Sequence, residues 1–129
     1  MTARLRAAYA ASAYEAAGAV ARIGRRSDAV DALLRRLGAR QGGFVSAWNP
    51  VSRRVPRGRN ERMHLRLRKA ARRLPMAEGW GGARGWRERH LLLGGDQRRL
   101  VVLARRFRQN AIVVVRAGQT ARLLMLRGG

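Results

Sequence analysis

Residues 111–115 form a continuous apolar run, Ala-Ile-Val-Val-Val, in which four of the five side chains are β-branched. Such a run predicts a β-strand that is covered on both faces, because a half-exposed strand would carry a polar residue at every second position. The rest of the chain must therefore supply apolar cover on both sides of a sheet.

Three amphipathic helices are predicted to supply that cover. Ser27, Asn60 and Asp96 are suitable N-cap residues, and each precedes a stretch with apolar residues at helical spacing. Acidic residues follow Ser27 in the first turn of its helix, and arginines occupy the last turn, as the helix dipole favours. The predicted helices end near Gly38, Pro75 and Asn110.

Further strands are predicted at residues 19–23, 44–48, 86–93 and 121–126. The glycine-rich segment 79–85 matches neither a dinucleotide-binding loop nor a P-loop, and it is interpreted as a flexible hairpin turn. The order is β-α-β-α-(β)β-α-β-β, which predicts an α+β fold with a single mixed β-sheet and about three packed helices. A length of 129 residues fits a single domain, 1–129.

The composition narrows the class of protein. The chain has no cysteine, which excludes disulfides and a catalytic thiol, and we expect a cytoplasmic protein. It has no apolar run of the roughly 18 residues that a membrane span needs. The two histidines lack the spacing of a metal site, and no cofactor is expected. The formal net charge is +22, and Lys69 is the only lysine among 29 basic residues, a bias typical of a high-GC genome.

The charge predicts contact with a polyanion, and the best candidate is the phosphate backbone of RNA or DNA. Residues 53–73 carry ten basic residues against one acid, and the predicted helices in residues 60–74 and 96–107 each have a cationic face. If both faces lie on the same side of the sheet, they form a continuous phosphate-binding surface. The candidate nucleic-acid contacts are Arg62, Arg66, Lys69, Arg73 and Arg99. The alternative is an ordinary solvated face of an amphipathic helix.

A second hypothesis is a small polar site for an enzyme or a ligand-binding protein. Glu88 lies between Arg87 and Arg89, which are expected to lower its pKa, and it is the candidate catalytic residue. If the strands at 44–48 and 111–115 are antiparallel neighbours, polar residues at the end of the first meet those at the start of the second. The candidate ligand-binding residues are Asn49, Ser52, Asn60, Trp86, Arg106, Gln109 and Asn110. Caps and turns are the alternative explanation for each of them.

A third hypothesis is a protein-partner adaptor. Leu65 and Val102 lie on otherwise polar helix faces and would mark a contact patch. Single exposed apolar residues are, however, common on soluble proteins.

The spaced motifs resemble a bacterial family that is classified only as a domain of unknown function. Its pattern runs F-[IVL]-[ST]-A-[WY]-N-P-x-S, then N, then W-x-E-E, then R-F-x-Q-N-A. The matching segments here are Phe44-Val45-Ser46-Ala47-Trp48-Asn49-Pro50 with Ser52, then Asn60, then Trp86-Arg87-Glu88, then Arg106-Phe107-Arg108-Gln109-Asn110-Ala111. The resemblance implies no activity, but it places residues 1–24 within the domain. Arg89 stands where the family often has a second acid, which argues against a two-carboxylate mechanism.

Overall fold

The computed structural model describes residues 3–126 and confirms the α+β class. Within these residues the helices are α1 (Ala3–Ala11), α2 (Asp28–Arg36), α3 (Arg57–Ala70) and α4 (Gln97–Arg106), with a short 3₁₀ turn at Pro50–Ser52. The strands are β1 (Ala13–Ala16), β2 (Ala19–Ala21), β3 (Gln41–Val45), β4 (Met76–Ala83), β5 (Trp86–Gly94), β6 (Ala111–Arg116) and β7 (Arg122–Met125). The predicted order omitted α1 and β1, because the alanine-rich start of the chain has no clear apolar periodicity.

The seven strands form one curled sheet in the order β2-β1-β4-β5-β3-β6-β7, and all named neighbours are antiparallel. The two edges of the sheet meet through an isolated parallel bridge between Ile23 and Ala121. There the amide of Gly24 donates to the carbonyl of Ala121 at 2.8 Å, and the amide of Ala121 donates to the carbonyl of Arg25 at 3.0 Å. The only parallel contact among the described residues is therefore confined to this closure.

Apolar side chains fill both faces of the sheet, as the run at 111–115 predicts. Ile112 and Val114 pack with α3 and α4 in one core cluster, whereas Val113 and Val115 pack with α2 in the other. We call these the α3/α4 face and the α2 face. Alternation along β5 has the same effect, because Leu91 and Leu93 join the first cluster and Leu92 joins the second.

Two of the three predicted helix caps are confirmed. The hydroxyl of Ser27 accepts from the amide of Val30, and the carboxylate of Asp96 accepts from the amide of Arg98. The third is wrong, because α3 begins directly after Pro56 and Asn60 lies inside the helix. The fixed φ of proline suits a helix start, and the Asn60 side chain is engaged by another loop.

The prediction of a flexible turn at residues 79–85 is wrong for most of that segment. β4 continues to Ala83 and only Arg84 and Gly85 form the turn. The glycines instead allow β4 to approach its neighbouring strands closely. A Cβ at Gly79, for example, would collide with the carbonyl oxygen of Glu15 on β1.

Candidate functional site

A strained loop follows β3. Asn49, Val51 and Ser52 all have left-handed backbone, with φ of 45°, 49° and 60°. The residue before a proline ordinarily adopts extended backbone, and Asn49, which precedes Pro50, departs from that preference. Left-handed geometry is least favourable for a β-branched residue such as Val51, and strain of this kind persists only where the surroundings enforce it.

The turn between α4 and β6 holds this loop in place. β3 and β6 are antiparallel neighbours, so the end of one meets the start of the other, as the sequence hypothesis required. The amide of Val51 donates to the carbonyl of Arg108 at 2.7 Å, and Asn110 Nδ2 donates to Ser52 Oγ at 2.8 Å. Gln109 Nε2 donates to the carbonyl of Trp48 at 3.2 Å. The left-handed residue that ends α4 is Arg108, with φ of 57°, two residues before the predicted helix end at Asn110.

Asn49 is the centre of the polar cluster. Its backbone amide donates to Asn60 Oδ1 at 2.8 Å, and its own Oδ1 accepts from Asn60 Nδ2 at 2.9 Å and from the amide of Val55 at 3.1 Å. Its Nδ2 donates to Glu88 Oε2 at 3.2 Å. Asn49 and Asn60 are both buried, so this network fixes the loop against α3 and positions one donor on the carboxyl group of Glu88.

The electrostatic prediction for Glu88 is wrong in sign. Burial raises the pKa of Glu88 to about 7, although hydrogen bonds from Asn49 and Trp86 oppose that shift. Arg87 and Arg89 do not offset the burial, since alternation along β5 directs them to the α3/α4 face. There Arg87 stacks on Trp80, and Arg89 pairs with Glu61 at 2.9 Å and with Glu78 at 3.0 Å.

Glu88 lines a cavity of about 40 Å³ on the α2 face, which we call the Glu88 cavity. Its walls combine aromatic side chains with a few polar groups, the carboxyl group of Glu88 among them. The aromatic lining is Tyr9, Tyr14, Phe44 and Trp86, and the polar lining besides Glu88 is Ser46, His90 and Gln109. The guanidinium of Arg106, which the sequence hypothesis assigned to this site, is exposed and does not line the cavity.

The imidazole of His90 is a neutral acceptor in this cavity. Burial lowers the pKa of His90 to about 4. Its Nε2 lies 2.6 Å from the carbonyl oxygen of Glu15, so Nε2 carries the proton and Nδ1 is free to accept. Burial also raises the pKa of Tyr9 and of Tyr14, so both phenols stay protonated at neutral pH.

The α3/α4 face carries exposed cations. All five candidate nucleic-acid residues are exposed, and within residues 3–126 none of them forms an ion pair. Arg72 and Arg73, in the turn that follows α3, line one groove together with Arg99 of α4, so the end of α3 and α4 share a surface. Val102 lines this groove as well, whereas Leu65 is exposed elsewhere on α3.

A second cleft on this side contains tryptophans and arginines, and we call it the Trp–Arg cleft. Its lining includes Trp48, Trp80 and Trp86 together with Arg54, Arg57 and Arg87. The rings of Trp80 and Trp48 form a T-shaped pair at a centroid distance of 5.8 Å, and the Arg87 guanidinium lies 4.7 Å from the Trp80 centroid. Trp80 is half-buried, so it both anchors the strand and reaches the cleft.

Sequence reasoning missed an ionic network beneath α3. Glu78 accepts from His64 Nε2, Arg68 and Arg89, and Arg89 also binds Glu61. Burial alone would raise the pKa of Glu78, but hydrogen bonds from Arg68 and His64 outweigh it and lower that pKa. The partners come from α3, β4 and β5, so only the strand order brings them together.

Comparison with known proteins agrees with the resemblance in the sequence. Residues 45–112, more than half of the chain, match the family described as protein of unknown function (DUF3293). The chain belongs to this family. The matched residues include Asn49, Asn60, Glu88 and the turn after α4, but not Tyr9 or Tyr14, which line the other side of the cavity. No curated protein and no solved structure matches the chain.

Residues 3–126 show neither a metal-binding cluster nor a helix able to span a membrane. These residues contain no cluster of three or more histidine, cysteine or acidic side chains that is arranged to hold a metal ion. None of the helices in the same part of the chain has the length and apolar character needed to cross a membrane.

Proposed function

We propose that the protein is an accessory nucleic-acid-binding module that contacts phosphates through the α3/α4 face. The observation that carries this proposal is the groove between the C-terminal end of α3 and α4, where Arg73 of the following turn and Arg99 of α4 lie on one surface. The sequence hypothesis required both cationic faces to lie on the same side of the sheet, and the core cluster of α3 and α4 meets that requirement.

The state of the cations supports the same proposal. Lys69 and the four candidate arginines are exposed and have no acidic partner in the described part of the chain, so their donors are available to a ligand. The planar guanidinium group bonds phosphate oxygens bidentately, and each contact releases condensed counterions. A surface of this kind binds the backbone with little reading of sequence.

The Trp–Arg cleft supports a preference for single strands. It lies at the N-terminal end of α3, where Arg57 begins the helix, and it offers the indole of Trp80 beside Arg87. Unpaired bases stack on aromatic rings, with the backbone held by neighbouring cations. We place this activity in the bacterial cytoplasm, which agrees with a chain that lacks cysteine.

The test is a salt-titrated anisotropy assay on the full chain with single-stranded RNA, duplex RNA and duplex DNA. The variant replaces Arg62, Arg66, Lys69 and Arg73 by glutamine. On duplex DNA each phosphate contact contributes about 0.9 to the slope of log affinity against log salt, so loss of four contacts reduces the slope by about 3.6. At 150 mM salt this corresponds to roughly a thousandfold loss of affinity.

A matched control separates this surface from net charge. Replacing Arg22, Arg25, Arg35 and Arg36 by glutamine removes the same charge from exposed positions in and near α2. We expect this control to keep nearly all of the affinity. Equal losses in both variants, or no loss in the first, would contradict the assignment of the surface.

A further inference from the structure

The Glu88 cavity holds an acidic group without a basic partner among its described lining residues, and this observation is independent of the nucleic-acid proposal. Glu88 is half-buried, and the two side chains that favour its ionised form, Asn49 and Trp86, are both neutral. None of the described residues that line the cavity is an arginine or a lysine. A carboxylate shielded from water without an opposite charge raises the free energy of the folded protein. A cation that enters the cavity would pair with Glu88 and remove that unfavourable energy.

The remaining polar groups of the cavity also favour a hydrogen-bond donor. His90 presents Nδ1 as an acceptor, because its Nε2 proton is given to the carbonyl of Glu15. A Cβ on Gly81 would lie 3.0 Å from that Nδ1, so the absence of a side chain at Gly81 leaves the acceptor open to the cavity. Acceptors on Glu88 and His90 therefore face the same small space.

The walls of the cavity suit a positive charge as well. Tyr9, Tyr14, Phe44 and Trp86 surround it, and the faces of aromatic rings attract ammonium and guanidinium-like groups. A volume of about 40 Å³ accommodates roughly three water-sized groups. The buried part of the ligand is accordingly limited to a compact head group.

The loop that carries Asn49 is fixed beside the cavity by specific contacts. Asn49 is held by Asn60 and by the amide of Val55. It belongs to a loop in which three of the four residues 49–52 have left-handed backbone. Strain of this kind is maintained by the surrounding structure and concentrates at binding and catalytic sites. In this protein its consequence is a fixed donor on the carboxyl group of Glu88.

We propose that the Glu88 cavity binds a small organic cation with N–H donors, of the amidinium or alkylammonium class, with Glu88 as its counter-ion and His90 Nδ1 as a second acceptor. The net charge of +22 does not prevent this, because at physiological salt the field of exposed cations is screened within about 8 Å. The aromatic walls and the Glu88 carboxylate dominate at contact distance.

Three nearly isosteric compounds test the proposal on the full-length, ¹⁵N-labelled chain: acetamidinium, acetamide and acetate. The reporter is the indole N–H signal of Trp86, because Trp86 lines the cavity together with Glu88. We expect acetamidinium to shift the signal saturably and to bind at least tenfold more tightly than acetamide, whereas acetate does not bind. Equal binding of the three compounds, or no saturable shift with acetamidinium, would overturn the proposal.

Glu88→Gln supplies the matched variant. It removes the negative charge with little change in shape, and we expect at least a tenfold loss of acetamidinium affinity. Asp28→Asn makes the same charge change at an exposed position of α2 and leaves the affinity unchanged. An unchanged affinity in Glu88→Gln would refute the role of Glu88.

The pH dependence of the wild-type chain tests the proposal even if a variant fails to fold. With a pKa of about 7 for Glu88, the ionised fraction rises about tenfold from pH 6 to pH 8, so the affinity for acetamidinium rises by about the same factor. The other titratable groups that face the cavity are Tyr9 of α1, Tyr14 of β1 and His90 of β5. They titrate outside this range, so an affinity independent of pH would overturn the proposal.

Discussion

The two faces of the sheet differ in how their charged side chains are exposed and paired. On the α3/α4 face, Arg62, Arg66 and Lys69 project into solvent, and acids such as Glu78 are surrounded by basic partners. On the α2 face, Glu88 is half-buried, and the side chain that donates to it, Asn49, is neutral. Unpaired cations in water cost little, whereas an unpaired buried acid must be supported by its surroundings. The contrast shows that the exposed arginines of the α3/α4 face and the acid with a raised pKa, Glu88, belong to different parts of the molecule.

The first prediction removes the support of the buried acid. Asn49→Ala removes the Oδ1 acceptor of Asn60 Nδ2 and of the Val55 amide, and it removes a donor from Glu88. Each buried polar group left unsatisfied costs about 1–3 kcal/mol, so we expect a loss of about 2–4 kcal/mol in the free energy of unfolding. Urea denaturation at pH 7 measures it.

Asn110→Ala is the control for that prediction. Its amide bonds Ser52 in an exposed position, so we expect a cost of no more than about 1 kcal/mol. Similar costs for the two variants would mean that the Asn49 network does not hold the loop.

The second prediction compares Glu88 with Glu78 as pH changes. The folded-state pKa of Glu88 lies above its ordinary value, so the contribution of this group to stability is fully present below about pH 4.5 and is lost as pH rises through 7. Glu88→Gln removes this loss, and we expect its stability relative to the wild type to increase by up to about 3 kcal/mol between pH 4 and pH 8. Urea denaturation across this range measures the difference.

Glu78→Gln should behave in the opposite sense. The pKa of Glu78 is lowered, so its contribution is present above its ordinary value and is lost as pH falls through the folded-state pKa. Glu78 is about one-third exposed, and we expect a loss of about 1 kcal/mol at neutral pH that disappears in acid. Two variants with the same pH dependence would remove the contrast between the faces.

The third prediction sharpens the account of the α3/α4 face. Trp80→Ala removes the ring beneath Arg87 in the Trp–Arg cleft. Stacking of one base contributes about 1–3 kcal/mol, so we expect a five- to hundredfold loss of affinity for single-stranded RNA and little change for duplex DNA. Anisotropy at constant salt measures both. A parallel loss on duplex DNA would assign Trp80 a structural role only.

Much of the fold could be predicted because local signals agreed with it. The caps at Ser27 and Asp96, and the uninterrupted apolar run that became β6, indicated helices and a doubly covered strand. The start of the chain could not be predicted as well, because alanine fits either a helix or a strand. Tyr9 and Tyr14 were therefore missed as parts of the cavity.

The candidate site could be predicted in part. Neighbouring strands were enough to bring Asn49 near Gln109 and Asn110. The two arginines that flank Glu88 in the sequence predict the wrong sign of its pKa shift, because residues adjacent in a strand do not lie on the same face. In a strand, successive side chains point to opposite faces, so Arg87 and Arg89 contact Trp80, Glu61 and Glu78 on the face opposite Glu88.

The location of bound nucleic acid is the most direct test of the division between the two faces. A ¹⁵N-labelled full-length chain, titrated with a short single-stranded RNA, should show shifts concentrated on α3, α4 and the Trp80 indole. Backbone signals of α2 and of residues 19–23 should stay unchanged. Shifts that spread over all exposed arginines, or that centre on α2, would contradict the account, because binding would then follow net charge and not the surface formed by the two helices.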